Sequence, residues 1–184
     1  MNRAVASTLP HVLVVCLRIV ATRESPEALP YSKTLLQAAV IAAVALGVMN
    51  RLLIPEVTWT HAIVNAIGEV SLLLLGLHLV LSARAIPERF HKVATAMLCI
   101  SALGGGLLLV FGRMPDSLIV SSLITVAYLG QLSGALTSLR HGLDTTWWVA
   151  GLYLFAYLWL TLVFFNISAS LLHVDALHSA AGPE

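Results

Sequence analysis

The chain alternates between five long apolar stretches and short polar segments, and Glu69 is the one charged residue inside the stretches. A helix needs about 20 mostly apolar residues to cross the roughly 30 Å hydrocarbon core of a bilayer. The pattern therefore predicts an all-α integral membrane protein with five transmembrane helices, the first of which ends at Asn50 or at Ile54. These helices cover about residues 34–50, 57–83, 93–112, 117–139 and 147–172.

Three parts are predicted along the chain. A cytoplasmic N-terminal segment covers residues 1–33, the transmembrane domain covers 34–172, and a short non-cytoplasmic tail covers 173–184. Within the first part, residues 9–22 predict a short amphipathic helix that precedes the spans and lies in the membrane interface. There the Arg18 side chain can extend to the lipid headgroups while its stem stays in apolar surroundings.

Lysine and arginine residues are distributed unequally between the two sides of the predicted domain. Eight of them fall on the side of the N-terminus, and the other side has Arg51, expected to extend to the headgroups, and Arg113. Cytoplasmic loops of membrane proteins carry an excess of these residues. We therefore expect a bacterial inner-membrane protein with its N-terminus in the cytoplasm and its C-terminus in the periplasm.

Composition narrows the classes of function. Charged residues make up 10% of the chain, against about 25% in an ordinary soluble domain, which excludes a disordered chain and most soluble folds. A net charge of +1 gives no basic surface for nucleic acid. No nucleotide-binding or hydrolase motif is present, and we expect no enzymatic activity. Cys16 and Cys99 lack a CxxC spacing, which favours two small apolar fillers.

The second span carries a polar face around Glu69. Thr58, His61 and Asn65 fall on the same side of this helix, and an acidic residue near the bilayer centre is costly. The fourth span is polar for a membrane helix, so we expect it to pack on this face and to contribute Gln131. Three roles stay open: a polar ladder that fixes packing, a path for protons, ions or substrate, and a contact between two copies.

Glycines in the third and fourth spans indicate close helix packing. Small residues let two helix backbones approach each other in a membrane. The sequence leaves open whether the contact lies within one chain or between two. The glycines concerned are Gly104, Gly105, Gly106, Gly130 and Gly134.

Histidines raise the alternative of a haem or metal site, although no cofactor is predicted. His61 and His173 would lie toward one face of the membrane, and His78, His91 and His141 toward the other. Two histidines from different helices can hold a haem. No fixed metal or haem motif accompanies them, which favours ordinary interfacial and packing roles.

The order of the segments resembles the Yip (Ypt-interacting protein) family and its small bacterial relatives over about residues 15–172. The shared features are five spans, an N-terminal segment with a short amphipathic piece, and a lead-in that runs from Leu17 through Ser25-Pro26-Glu27 to Ser32. The aspartate-leucine-tyrosine-glycine-proline motif of the eukaryotic members is absent, so no functional residue is carried over. The resemblance implies a membrane scaffold or assembly function.

Together these observations predict a scaffold or accessory subunit without chemistry of its own. Its expected partners are the lipid bilayer and other membrane proteins, or a second copy of itself. The alternative is a small transporter or proton-coupled component that uses the face containing Glu69, Asn65 and His61.

Overall fold

Six α-helices make up most of the described part of the chain. A computed structural model describes residues 3–21, 24–54, 57–115 and 117–180, with side chains from residue 12 to residue 170 within these ranges. The all-α fold is confirmed, and α2 to α6 are long and apolar enough to cross a membrane. The helices are α1 (Arg3–Val20), α2 (Lys33–Arg51), α3 (Trp59–Ala83), α4 (Phe90–Phe111), α5 (Leu118–Gly142) and α6 (Trp147–Ala180).

Hydroxyl caps set the beginning of three of the long helices. Ser32, Thr58 and Ser117 precede α2, α3 and α5, and each side-chain oxygen accepts a hydrogen bond from the backbone N–H three residues later, at 3.2 to 3.3 Å. Such caps satisfy N–H groups that have no partner inside the helix. α2 ends at Arg51, close to the shorter of its two predicted ends, and α6 continues past residue 172 to Ala180.

The α3–α4 and α5–α6 turns share one geometry. Ala85 and Asp144 follow the caps of α3 and α5 with φ of 58° and 49°. The next residue in each turn donates its N–H to a carbonyl in the last turn of the preceding helix, as in Ile86 to Leu81 at 3.0 Å. This is the Schellman ending, whose left-handed position is usually glycine. Both turns lie at the same end of the bundle, named the basic end below.

α4 occupies the centre of the bundle. It packs against α2 and α5 most extensively and also against α1 and α3. Its residues from Val93 to Leu98 are buried. Four of them, Val93, Ala94, Met97 and Leu98, join Leu77 and Leu81 of α3 and Leu139 of α5 in the main core. The outer helices expose mostly apolar side chains, which suits contact with lipid.

α1 packs onto the bundle instead of standing apart from it. Val12, Val15 and Ile19 are buried against Ala96 and Ile100 of α4. The opposite side of α1 exposes Leu13, Val14 and Leu17. Its backbone starts at Arg3, earlier than the predicted residue 9. The Arg18 side chain is largely exposed and forms an ion pair with Glu24 at 3.3 Å.

Candidate functional site

Glu69 forms an ion pair with Arg51 between α2 and α3. The Arg51 Nη2 and Glu69 Oε2 atoms are 2.5 Å apart. The Arg51 side chain is 18% exposed and that of Glu69 is 35% exposed. Arg51 Nη1 also donates to the Gly47 carbonyl at 3.0 Å, and its guanidinium lies 5.0 Å from the centre of the Phe165 ring. The burial of Glu69, which the sequence predicts to be costly, is therefore compensated by the positive charge of Arg51.

The position of Arg51 corrects a prediction. We expected its side chain to extend outward to the headgroups, but it turns back along α2 and into the bundle. A Cβ on Gly47 would lie 3.1 Å from the guanidinium and 3.3 Å from the Ala66 Cβ, so the glycine leaves room for the cation between the two helices. A paired charge costs much less to bury than an isolated one.

α6 covers the remainder of the polar face of α3. The Ser168 hydroxyl donates to Asn65 Oδ1 at 2.7 Å, and the Phe164 ring lies directly on Gly68. Ser168 is buried. The face thus meets α2 and α6, and the prediction that the fourth span (α5) is its partner is wrong.

The other predicted residues of this site have separate positions. Thr58 caps α3 through the N–H of His61, and His61 is half-buried. Gln131 lies between α5 and α4, where its Nε2 donates to the Ser101 carbonyl at 3.2 Å. The structure therefore brings Glu69 and Asn65 onto one packed face and does not bring Gln131 to it.

Two glycines of α4 receive polar side chains from neighbouring helices. The Gln131 side chain packs against Gly104 so closely that no Cβ would fit there. The Asn50 Nδ2 atom of α2 donates to the Gly105 carbonyl at 2.8 Å and would lie 3.2 Å from a Cβ on that residue. The sequence leaves open whether such glycine contacts lie within one chain or between two. At Gly104 and Gly105 they lie within one chain.

Gly134 of α5 is a third point of close approach. A Cβ there would lie 2.9 Å from Val20 of α1 and 3.0 Å from Ile100 of α4. The Gly130 position would meet Val20 at an ordinary 3.4 Å, and that of Gly106 has nothing within 4 Å. Of the five predicted packing glycines, Gly104, Gly105 and Gly134 are thus in tight contact.

Two aromatic residues, Tyr31 and Phe90, lie against the histidines at the basic end. The His91 ring is 4.9 Å from Tyr31 and 5.8 Å from Phe90, and the His78 ring is 5.6 Å from Phe90. No group of three metal-ligating side chains occurs among the described residues, and the His173 side chain lies outside them. A haem site therefore stays a hypothesis from the sequence.

The two cysteines, distant in sequence, belong to one cluster. Cys16 of α1 is fully buried, and Cys99 of α4 packs against the same residues. A hydrogen bond with Cys99, together with burial, raises the pKa of the Cys16 thiol well above its usual range. A thiol held in its protonated form is a poor nucleophile, which fits a packing role.

Polar contacts at the basic end attach the N-terminal segment to the bundle. Arg89 forms an ion pair with Glu27 at 3.6 Å and donates to the His141 carbonyl at 3.2 Å. Lys92 donates to the Glu27 carbonyl at 3.0 Å. Arg89 and Lys92, two of the eight basic residues predicted on the side of the N-terminus, therefore make contacts within the chain.

The first half of α5 is exposed on most of its circumference. Leu118 and Ile119 are 86% and 72% exposed, and only Val120, Ile124 and Ala127 face the bundle. The outward side combines hydroxyl-bearing and apolar residues. Its polar members are Ser121, Ser122, Thr125 and Tyr128. We call this surface the hydroxyl face of α5.

Comparison with known proteins adds no family to this description. No family model matches the chain, and no curated protein and no solved structure is significantly similar to it.

Proposed function

We propose that the protein is a polytopic membrane scaffold or accessory subunit that binds another membrane protein through the hydroxyl face of α5. The five long apolar helices support the membrane setting. The exposure of the hydroxyl face is the observation that carries the proposal. The proposal includes a bacterial inner membrane as the location, with the N-terminus in the cytoplasm and the C-terminus in the periplasm. It also includes a relationship to the Yip family.

The chemistry of the hydroxyl face supports a helix as the partner. Ser122 and Thr125 donate to the carbonyls of Leu118 and Ser121 at 2.8 and 2.9 Å, so their donors are satisfied inside α5. Each hydroxyl oxygen keeps acceptor capacity for a second helix. Serine and threonine are enriched where transmembrane helices meet, since they permit close approach and add interhelical hydrogen bonds. Lipid chains offer no such partner.

Site-specific photo-crosslinking tests this proposal. A photoreactive amino acid at Thr125 should give a discrete crosslink to one membrane protein or to a second copy of the chain. The matched control is Leu79 of α3, which is 59% exposed and lies one helical turn after the exposed Leu75. A protein crosslink from Leu79 but not from Thr125 would contradict the proposal, and so would labelling of lipid alone at both positions.

A pair of substitutions then links the crosslink to the hydroxyl face. Ser121→Leu combined with Thr125→Leu removes both hydroxyls and keeps the helix apolar. The partner identified by crosslinking should no longer co-purify at a fixed stoichiometry. Leu75→Ile, at another exposed apolar position on α3, should leave co-purification unchanged. Retention of the partner by the double variant would exclude this face as the binding surface.

A proton-coupled component is the second candidate, supported by the partial exposure of Glu69. Its side chain keeps 35% exposure although the pair with Arg51 occupies one oxygen. Dissipation of a pH gradient in liposomes by the purified protein, abolished by Glu69→Gln, would favour this function. No dissipation by the wild-type protein would leave the scaffold as the sole proposal.

A further inference from the structure

A groove between α5 and α6 lies beside an arginine at the basic end. It has a volume of about 520 Å³ and is lined by Leu136 of α5 and by Trp147, Trp148, Gly151 and Leu152 of α6. This volume is in the range of about 300 to 1,000 Å³ that is typical of small-molecule sites. The lining is almost entirely apolar. Such a groove suits a hydrocarbon chain.

Arg140 places a positive charge at one end of this groove. Its guanidinium lies 4.4 Å from the centre of the Trp147 ring, and Leu136 is one helical turn before it on α5. Arg140 forms no ion pair among the described side chains, unlike Arg18, Arg51 and Arg89. A guanidinium stacked on an aromatic ring still presents its N–H groups at the edge, where they can bind a phosphate oxygen.

Open space over Gly151 gives the groove its depth. No atom lies within 4 Å of the position that a Cβ on Gly151 would take. The neighbouring Trp148 is 86% exposed, so its ring stands clear of the bundle beside this space. A ligand that is anionic at one end and apolar along its length would match the charge and the lining together.

We propose that this groove binds one anionic phospholipid, with its phosphate at Arg140 and one acyl chain along Gly151 between Trp148 and Leu136. A single basic residue near an anionic membrane surface contributes about 1 kcal/mol, which corresponds to a roughly fivefold preference over a zwitterionic lipid. This site is independent of the hydroxyl face and does not rest on the proposed scaffold function.

Tryptophan quenching by brominated lipids tests the proposal. In a Trp59→Phe/Trp159→Phe background, the remaining fluorescence comes from the two tryptophans of the groove. In phosphatidylcholine vesicles, brominated phosphatidylglycerol should quench this fluorescence with about fivefold higher apparent affinity than brominated phosphatidylcholine. Equal quenching by the two lipids, or quenching by neither, would overturn the proposal.

Substitutions separate the charge from the groove. Arg140→Gln should remove the preference for phosphatidylglycerol, and Gly151→Leu should reduce quenching by the bound lipid while it keeps the charge. Gly106→Leu on α4 is the matched control, because Gly106 also has nothing near its Cβ position and lies outside the groove. Persistence of the preference in Arg140→Gln, or unchanged quenching in Gly151→Leu, would overturn the proposal.

One of the two tryptophans outside the groove, Trp159, supplies an internal reference. Trp159 is 62% exposed on α6, two turns beyond Leu152. With the other three tryptophans replaced by phenylalanine, it should be quenched equally by brominated phosphatidylglycerol and phosphatidylcholine. A fivefold preference there too would mean a general attraction of anionic lipid to the protein, which contradicts a site at Arg140.

Discussion

The ion pair between Arg51 and Glu69 makes a directional prediction about stability. Glu69→Gln keeps the size of the side chain and leaves the Arg51 cation, which is 18% exposed, without its carboxylate. Arginine cannot lose its charge at any accessible pH. Its bond to the Gly47 carbonyl and its contact with the Phe165 ring remain, but neither neutralises it. We therefore expect a substantial loss of stability.

The magnitude follows from the burial of the two partners. Breaking a buried ion pair by removing one partner costs about 3 to 5 kcal/mol. Because Glu69 keeps 35% exposure, the lower end of this range, about 3 kcal/mol, is the expected cost. In a chain of this length that corresponds to a fall in the melting temperature of roughly 6 to 12 °C. Glu88→Gln, at an exposed acidic residue without an ion pair among the described side chains, should stay within about 0.5 kcal/mol of wild type.

Thermal unfolding in detergent measures both effects. A maleimide dye that fluoresces on reaction with thiols reports unfolding, because Cys16 is fully buried in the folded protein. The double variant Arg51→Met/Glu69→Gln removes both charges and should recover about 2 kcal/mol or more of the loss seen in Glu69→Gln. Wild-type stability of Glu69→Gln, or additive effects in the double variant, would show that the pair does not form and would refute the reasoning.

Two further predictions concern backbone positions. In α3, Gly76→Ala should raise the free energy of unfolding by up to about 1 kcal/mol, since nothing lies within 4 Å of its Cβ position. Gly68→Ala should lower the free energy of unfolding by about 1 to 3 kcal/mol, because the new Cβ would overlap the Phe164 ring. The two melting temperatures should therefore move in opposite directions, and shifts of the same sign would contradict this packing. At the Schellman turns, Ala85→Gly should stabilise the folded protein by about 1 kcal/mol. Asp144→Gly should stabilise it by less, since aspartate tolerates the left-handed region better than alanine. Equal melting temperatures of Ala85→Gly and wild type would argue against the left-handed turn.

The predicted helices match the structure because their signals are local. Apolar runs of sufficient length set the five long helices, and capping hydroxyls such as Ser32 and Ser117 mark where two of them begin. α1 is a partial success, since an amphipathic helix exists there but begins earlier than predicted and packs on α4 and α5. The amphipathic pattern of α1 predicts that one of its faces is apolar, but it does not predict which helices bury that face.

The candidate site was predicted less well because helix neighbours are not encoded locally. A membrane helix that is apolar on most sides gives little indication of which face meets which helix. The polar content of α5 predicts this helix as the partner of the Glu69 face, yet Ser168 of α6 and Arg51 of α2 occupy that position. The sequence does contain one usable signal, because Arg51 and Glu69 have opposite charges and lie on consecutive helices that are close together in sequence.

The packing of the glycines within the chain changes which surface we expect a partner to bind. The sequence leaves open whether the glycines of α4 and α5 contact a second chain, but side chains of this same chain fill the space at Gly104, Gly105 and Gly134. A partner helix cannot use a position that is already occupied. The part of α5 before Gly130 has the opposite character, since its outward side is uncovered and its hydroxyls are arranged along that side. A scaffold role is therefore better placed on serine and threonine than on glycine, and a Gly134 variant should disturb the fold of the monomer before it disturbs any assembly.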